Sequence, residues 1–234
     1  MFLAPHAQTP WLESFCLSMI ALLLRGRHYD PAMIDYAEIV AAAGSCGDPV
    51  AQFLRTELPH VWRDEYLQMT PGRRTNIYVI TRGAFDYIFD DYQALEASGV
   101  VEPDATSESR VVAVIGAPQA NPKVRDDARL RGCVGPTQST FGKEWDKGHF
   151  IAHSIGGAVG GSELNVFLQL RALNRGWSDA GRRYRAMEAY CAATPGVLCW
   201  SRPIYDDPSA KPAQLEFGIL KPDGLVWHGL FENR

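Results

Sequence analysis

An α+β fold is the architecture this sequence predicts, and three observations predict it. Apolar residues recur at three- and four-residue steps through about the first seventy positions. β-Branched runs separated by turns dominate afterwards. No apolar run reaches the length a membrane helix needs. The chain's 234 residues, 46% hydrophobic and 21% charged, suffice for one large domain or for a small one beside a medium one, and the composition is that of an ordered chain.

The helical part comes first. Trp11, Leu12, Phe15, Met19, Leu22 and Leu23 form one apolar stripe, started by Thr9-Pro10 and closed by Gly26. A second helix is predicted over Pro31 to Ala43, with Asp30 as cap and Gly44 as stop. A third runs from Pro49 to about Met69 behind Asp48. Pro59 should break or kink it, because proline gives its turn no N–H and its ring crowds the carbonyl four residues back. Pro71-Gly72 then ends the region, so residues 1–72 are read as helical and 73–234 as a separate unit. In that unit Asn76 to Thr81 and Arg110 to Ile115 read as strands, Ala84 to Ala97 as a helix, and Ala117 to Lys143 as a long surface excursion. Val197 to Ile204, Gln214 to Leu220 and Leu225 to Phe231 complete the strands, with Pro222-Asp223-Gly224 turning between the last two.

The net charge of −4 excludes a protein that coats nucleic acid over its whole surface. It does not exclude a local patch. Between Arg171 and Arg185 five arginines (171, 175, 182, 183 and 185) face one acid, Asp179, for a local net of +4. Cys16, Cys46, Cys133, Cys191 and Cys199 are odd in number, contain no CxxC pair and fit no zinc module, so they read as buried thiols in a reducing compartment. The run Phe15 to Leu24 is too short to span a membrane and lacks a basic flank and a cleavage site. The expectation is a protein that is cytoplasmic as synthesised and has no membrane partner, with export as a delivered effector left open.

Chemistry concentrates in two blocks, Asp146-Lys147-Gly148-His149-Phe150-Ile151-Ala152-His153 and Leu173-Asn174-Arg175-Gly176-Trp177. A histidine titrating near neutral pH can deprotonate water. A neutral amide oxygen can hold a hard, hydrated divalent cation without cancelling its charge. His149 and His153 have three readings. As a zinc pair on one helix face they meet opposition from Gly148, Gly156-Gly157 and Gly160-Gly161, and on a strand four residues span about 13 Å, too far to share an ion. As structural histidines they need no ligand. In the third reading His149 is a general base and His153 supports the loop. Asn174 alone would read as a helix cap before a glycine; it gains meaning from the ordered set around it.

That set resembles the DNA/RNA non-specific endonucleases of the ββα-metal (His-Me finger) superfamily. Asp146-Lys147-Gly148-His149 is similar to the family's Asp-Arg-Gly-His block, and Asn165-Val166-Phe167-Leu168-Gln169 to its Asn-x-x-x-Gln segment. Leu173-Asn174-Arg175-Gly176-Trp177 is similar to its Leu-Asn-x-Gly-x-Trp block, with one residue fewer between glycine and tryptophan. The likeness is close from about Trp145 to Glu188 and loose from Thr75 to the C-terminus, and residues 1–70 have no part in it. Lys147 replaces the family arginine and loses its bidentate fork, a function Arg175 or Arg171 can supply. The family's glutamate that supports the metal asparagine from behind falls on Arg182, which leaves Asp179 and Glu188 as candidates; Glu188 approaches if Trp177 to Gly181 is a loop.

The resemblance implies a ββα-metal nuclease core with a mixed or antiparallel sheet, preceded by the helical region. It implies His149 as general base, Mg²⁺ (or Mn²⁺) held by Asn174, and Arg175 or Lys147 stabilising the transition state. Asp146 and Asn165 would orient the hairpin and the histidine, with His153 and Glu188 in support. Arg171, Arg182 and Arg183 would contact nucleic acid. His149 is expected on or just after a strand, and Asn174 at the start of a helix packed across it. Cleavage would show little sequence preference and leave 5′-phosphates. Two rivals stay open: a nuclease-like fold that binds nucleic acid or protein without catalysis, and a zinc hydrolase using His149 and His153. The choice between DNA and RNA stays open too, as do a homodimer, an inhibitor or immunity protein as partner, and a role in defence, toxin delivery or nutrition.

Overall fold

The computed structural model describes residues 34–45, 49–120, 141–157 and 163–234. The stripe from Trp11 to Leu23 and most of the excursion from Ala117 to Lys143 lie outside them. The architecture is α+β, built on an antiparallel six-stranded sheet. None of its described helices is long and apolar enough to cross a membrane.

Two helices lie on one face of the sheet. α1 spans Tyr36–Ser45 and α2 spans Val50–Met69. In α2 the buried residues Phe53, Leu54, Leu58, Val61, Trp62, Glu65 and Tyr66 recur at helical spacing and form one stripe. The helix continues through Pro59, contrary to the expected break. Proline removes one hydrogen bond to the turn before it, but Leu58 and Trp62 on either side are fully buried, and their packing holds the axis through that lost bond. Breaking the helix there would expose both.

The sheet consists of β1 (Ile77–Arg82), β2 (Phe85–Asp90), β3 (Arg110–Gly116), β6 (Leu198–Ile204), β7 (Gln214–Leu220) and β8 (Val226–Glu232), in the order β1-β2-β3-β6-β7-β8. β2 corrects the expected helix over Ala84 to Ala97. The chain turns at Gly83 (φ 60°), pairs Arg82 with Phe85, and becomes helical only over α3 (Tyr92–Ala97). Phe85 and Tyr87 enter the core on one face and Ile88 the core on the other, with a register shift after Ile88. A strand buried on both faces loses the alternation that would reveal it.

One core joins α1 and α2 to the sheet through Tyr36, Trp62, Val112, Leu198 and Trp200. Buried polar groups brace it. Arg202 of β6 binds Glu65 of α2 and Glu216 of β7, and Asp90 accepts from the Tyr66 hydroxyl (2.7 Å), Arg73 Nε (2.8 Å) and the Asn76 amide (2.9 Å). A second core on the opposite face includes Phe150, Phe167, Leu173, Tyr184, Met187, Phe217 and Phe231. It seats a smaller unit that leaves the sheet after β3 and returns at β6. That unit contains a two-stranded sheet of β4 (Trp145–His149) and β5 (Val166–Leu170), a helical turn α4 (Arg171–Asn174), and the helix α5 (Asp179–Ala193). It carries every candidate site residue named from the sequence.

Candidate active site

β4 and β5 pair antiparallel, with Trp145 opposite Leu170, Lys147 opposite Leu168 and His149 opposite Val166. Alternation therefore places Trp145, Lys147 and His149 on one face of the hairpin and Asp146 and Gly148 on the other. Gly148 is required where it stands, because a Cβ there would lie 2.3 Å from Gln169 Oε1. His149 is the last residue of β4, as expected, and the chain behind it is clamped rather than loose. Fully buried Asn165 accepts from the Ile151 amide at 3.0 Å and donates to the Ile151 carbonyl at 2.8 Å, while its own carbonyl receives the Phe150 amide at 3.1 Å. Phe150 and Phe167 stack at 4.4 Å beneath the clamp. His153 opens a short 3₁₀ turn that Gly156 closes at φ 94°.

Asn165→Ala is expected to destabilise the fold by about 2–4 kcal/mol, since it strands a buried N–H and a buried C=O together. A urea midpoint within experimental error of the wild type would show that the clamp is not what holds the loop.

Asn174 departs from expectation in one respect. It ends the four-residue turn α4, and the next helix, α5, begins only at Asp179 behind the Ser178 cap, whose Oγ accepts the Gly181 amide at 3.0 Å. Gly176, at φ 71°, makes the break between them, and the bare Gly181 lets α5 approach α4: a Cβ there would lie 2.4 Å from the Ala172 carbonyl.

The structure draws three sequence-predicted residues together around a fourth, Asp146. Arg175 grips the carboxylate with Nε at 2.6 Å and Nη2 at 3.0 Å, Arg171 Nε lies at 3.0 Å, and Asn174 Nδ2 at 3.3 Å. Burial raises the Asp146 carboxyl, but the hydrogen bonds from Arg175, Arg171 and Asn174 outweigh it and hold the group below the ordinary carboxylate range. An ionised carboxylate can only accept. Asn174 must therefore turn its Nδ2 inward, which leaves Oδ1, the atom a hard cation prefers, directed elsewhere.

The remaining arginines divide. Arg171 also donates to the Trp145 carbonyl at 3.1 Å, so it braces the start of the hairpin. Arg182 pairs with Asp179, and Arg183 donates to the His228 carbonyl at 2.8 Å; both are exposed on α5. Arg175 lies over the ring of Trp177 at 5.2 Å, and Trp177 is 63% exposed.

Glu188 is buried on α5, one turn beyond Tyr184, whose hydroxyl reaches toward the His149 carbonyl at 3.5 Å. Burial pushes the Glu188 carboxyl up to about 7 against the pull of Arg185, which donates to it at 3.2 Å. Among the described residues no group of three or more His, Cys, Asp or Glu could hold a metal ion, so the zinc-pair reading of His149 and His153 finds no third ligand there.

Nothing in the sequence marks Asn233, which ties the unit to the large sheet. Its Oδ1 accepts the Leu170 amide at 2.8 Å, and its Nδ2 donates to the carbonyls of Leu168 (2.9 Å) and Pro212 (2.8 Å).

No family model and no curated relative matches the chain. Similar solved structures include a Sda1 nuclease with bound zinc ion, 14% identical over 68% of this chain and 73% of that one, at a TM-score of 0.34. An extracellular endonuclease is 12% identical over 70% of this chain and 82% of that one, at a TM-score of 0.32. Neither likeness is close enough to transfer a residue or a ligand.

Proposed function

We propose that this chain is a metal-dependent endonuclease that hydrolyses phosphodiester bonds of DNA or RNA with little sequence preference. One observation carries the proposal: the β4–β5–α4–α5 unit brings Asn174 onto Asp146, three positions before His149 on the same strand. His149 takes a proton from the attacking water. Arg175 has five N–H donors, and its two contacts with Asp146 leave donors for a phosphate oxygen. Lys147, on the His149 face, adds a compact positive charge. Asn174 Oδ1 would hold Mg²⁺ or Mn²⁺ together with waters, a donor set that suits a hydrated hard cation. When bound, that ion supplies charge neutralisation at the phosphate and the leaving 3′ oxygen.

Incubation of supercoiled plasmid and of structured RNA with Mg²⁺, with Mn²⁺ and with excess EDTA tests the reading. Nicking followed by degradation in the metal-containing reactions alone is expected. Cleavage that persists in EDTA would refute it, and metal-independent binding without cleavage would favour the rival, a binding module that has lost catalysis.

A further inference from the structure

We propose that Lys211 is a phosphate-binding residue for the substrate, and that the substrate backbone runs along β4 from Trp145 toward His149. The inference rests on the endonuclease reading and adds the path of the strand. Lys211 lies in the connection between β6 and β7, far from the motif blocks, yet its Nζ sits 4.3 Å from the centroid of the Trp145 ring. Trp145 shares its hairpin face with Lys147 and His149 by strand alternation.

The placement is rigid. Asn233 is fully buried and bonds at once to Leu168, Leu170 and Pro212, so the residue following Lys211 is pinned to β5. The Lys211 amide is held by Ser209 Oγ at 3.3 Å.

The charge is available. Among the described residues Lys211 forms no ion pair, although acids lie close in sequence and space. Asp206 is taken by Arg234 at 3.0 Å, Asp207 by the Ser209 amide at 2.8 Å, and Glu108 by the Ala210 amide at 2.6 Å. An ammonium kept on a half-buried aromatic face, in no ion pair among the described residues, can meet an incoming anion. A strand rises about 3.3 Å per residue, so Trp145 lies about 13 Å from His149 with Lys147 midway. A row of cations on that scale serves a polynucleotide. A dinucleotide, with its single phosphate at His149, cannot reach its far end.

The experiment compares wild type with Lys211→Gln and Lys211→Arg on a twelve-nucleotide single strand and on a dinucleotide, with binding measured by fluorescence anisotropy in EDTA over a salt series. On the longer strand Lys211→Gln is expected to weaken binding about three- to tenfold. Its log–log salt slope should be shallower by about 0.7, with kcat unchanged. Lys211→Arg should behave as wild type, and neither variant should alter turnover of the dinucleotide. A Lys211→Gln slope equal to that of wild type overturns the inference while leaving the endonuclease reading intact. Wild-type protein that binds no nucleic acid overturns both. An equal loss on the dinucleotide overturns the proposed path. Matching urea midpoints for the three proteins confirm that folding is not the cause.

Discussion

Replacing His149 with alanine is expected to lower phosphodiester hydrolysis by about 10²–10⁴-fold, the usual contribution of a positioned general base. The fold should survive. The β4–β5 pairing is a backbone interaction, the turn after His149 is held by Asn165, and the apolar contacts beneath it come from Phe150 and Phe167. The loss should appear in kcat at saturating substrate, with binding affinity close to that of wild type, because the imidazole acts on water rather than on the bound strand. Single-turnover rates and anisotropy on the same preparations separate the two. Unchanged cleavage by His149→Ala would remove the general base and the mechanism built on it.

The other large effect belongs to Asp146→Asn. The carboxylate compels Asn174 to present Nδ2 to it; an amide at position 146 can donate or accept, and the compulsion disappears. Residues that orient a metal ligand typically change metal affinity by about 10–100-fold when replaced, and a loss of that size is expected for Mn²⁺ titrated calorimetrically. The variant should also change acid stability. Asp146 has its carboxyl lowered in the folded state, so its contribution is fully present above the unfolded carboxylate range and is lost as pH falls through the folded value. Asp146→Asn should therefore be less stable than wild type at neutral pH, with the difference shrinking under acid. Unaltered Mn²⁺ affinity, in a variant that shows this stability change, would confine Asp146 to a structural role.

The candidate site was legible in the sequence to the extent that it is local. The Asp146–His149 and Leu173–Trp177 blocks stand close together in the chain, and their residue types suggested the proposed chemistry before any fold was known. The strands β3, β6, β7 and β8 were legible for a similar reason, being β-rich runs with punctuation such as Pro222-Asp223-Gly224 between them. What was not legible depends on partners distant in sequence. β2 hides because both of its faces are buried. Pro59 fails to break α2 because the sheet below holds Leu58 and Trp62. Asn174 is expected at a helix start only through the family pattern; Gly176 and Ser178, a stop and a cap by local rules, end one helix and begin another. Asn233 and Lys211 carry no signal at all, since each acquires its role from β4 or β5, more than sixty residues away.

The departure of the β4–β5–α4–α5 unit from between β3 and β6 bears on how the molecule tolerates change. Gly116 at the end of β3 pairs directly with Cys199 of β6, so the long excursion begins and ends at neighbouring rungs of one ladder. The entropy of closing such a loop grows only with the logarithm of its length, about 0.6 kcal/mol for each doubling. The large sheet is accordingly almost indifferent to how many residues the excursion contains. A change of length between Gly116 and Trp145 therefore costs the ladder little, and the adjoining strand is the one that carries His149.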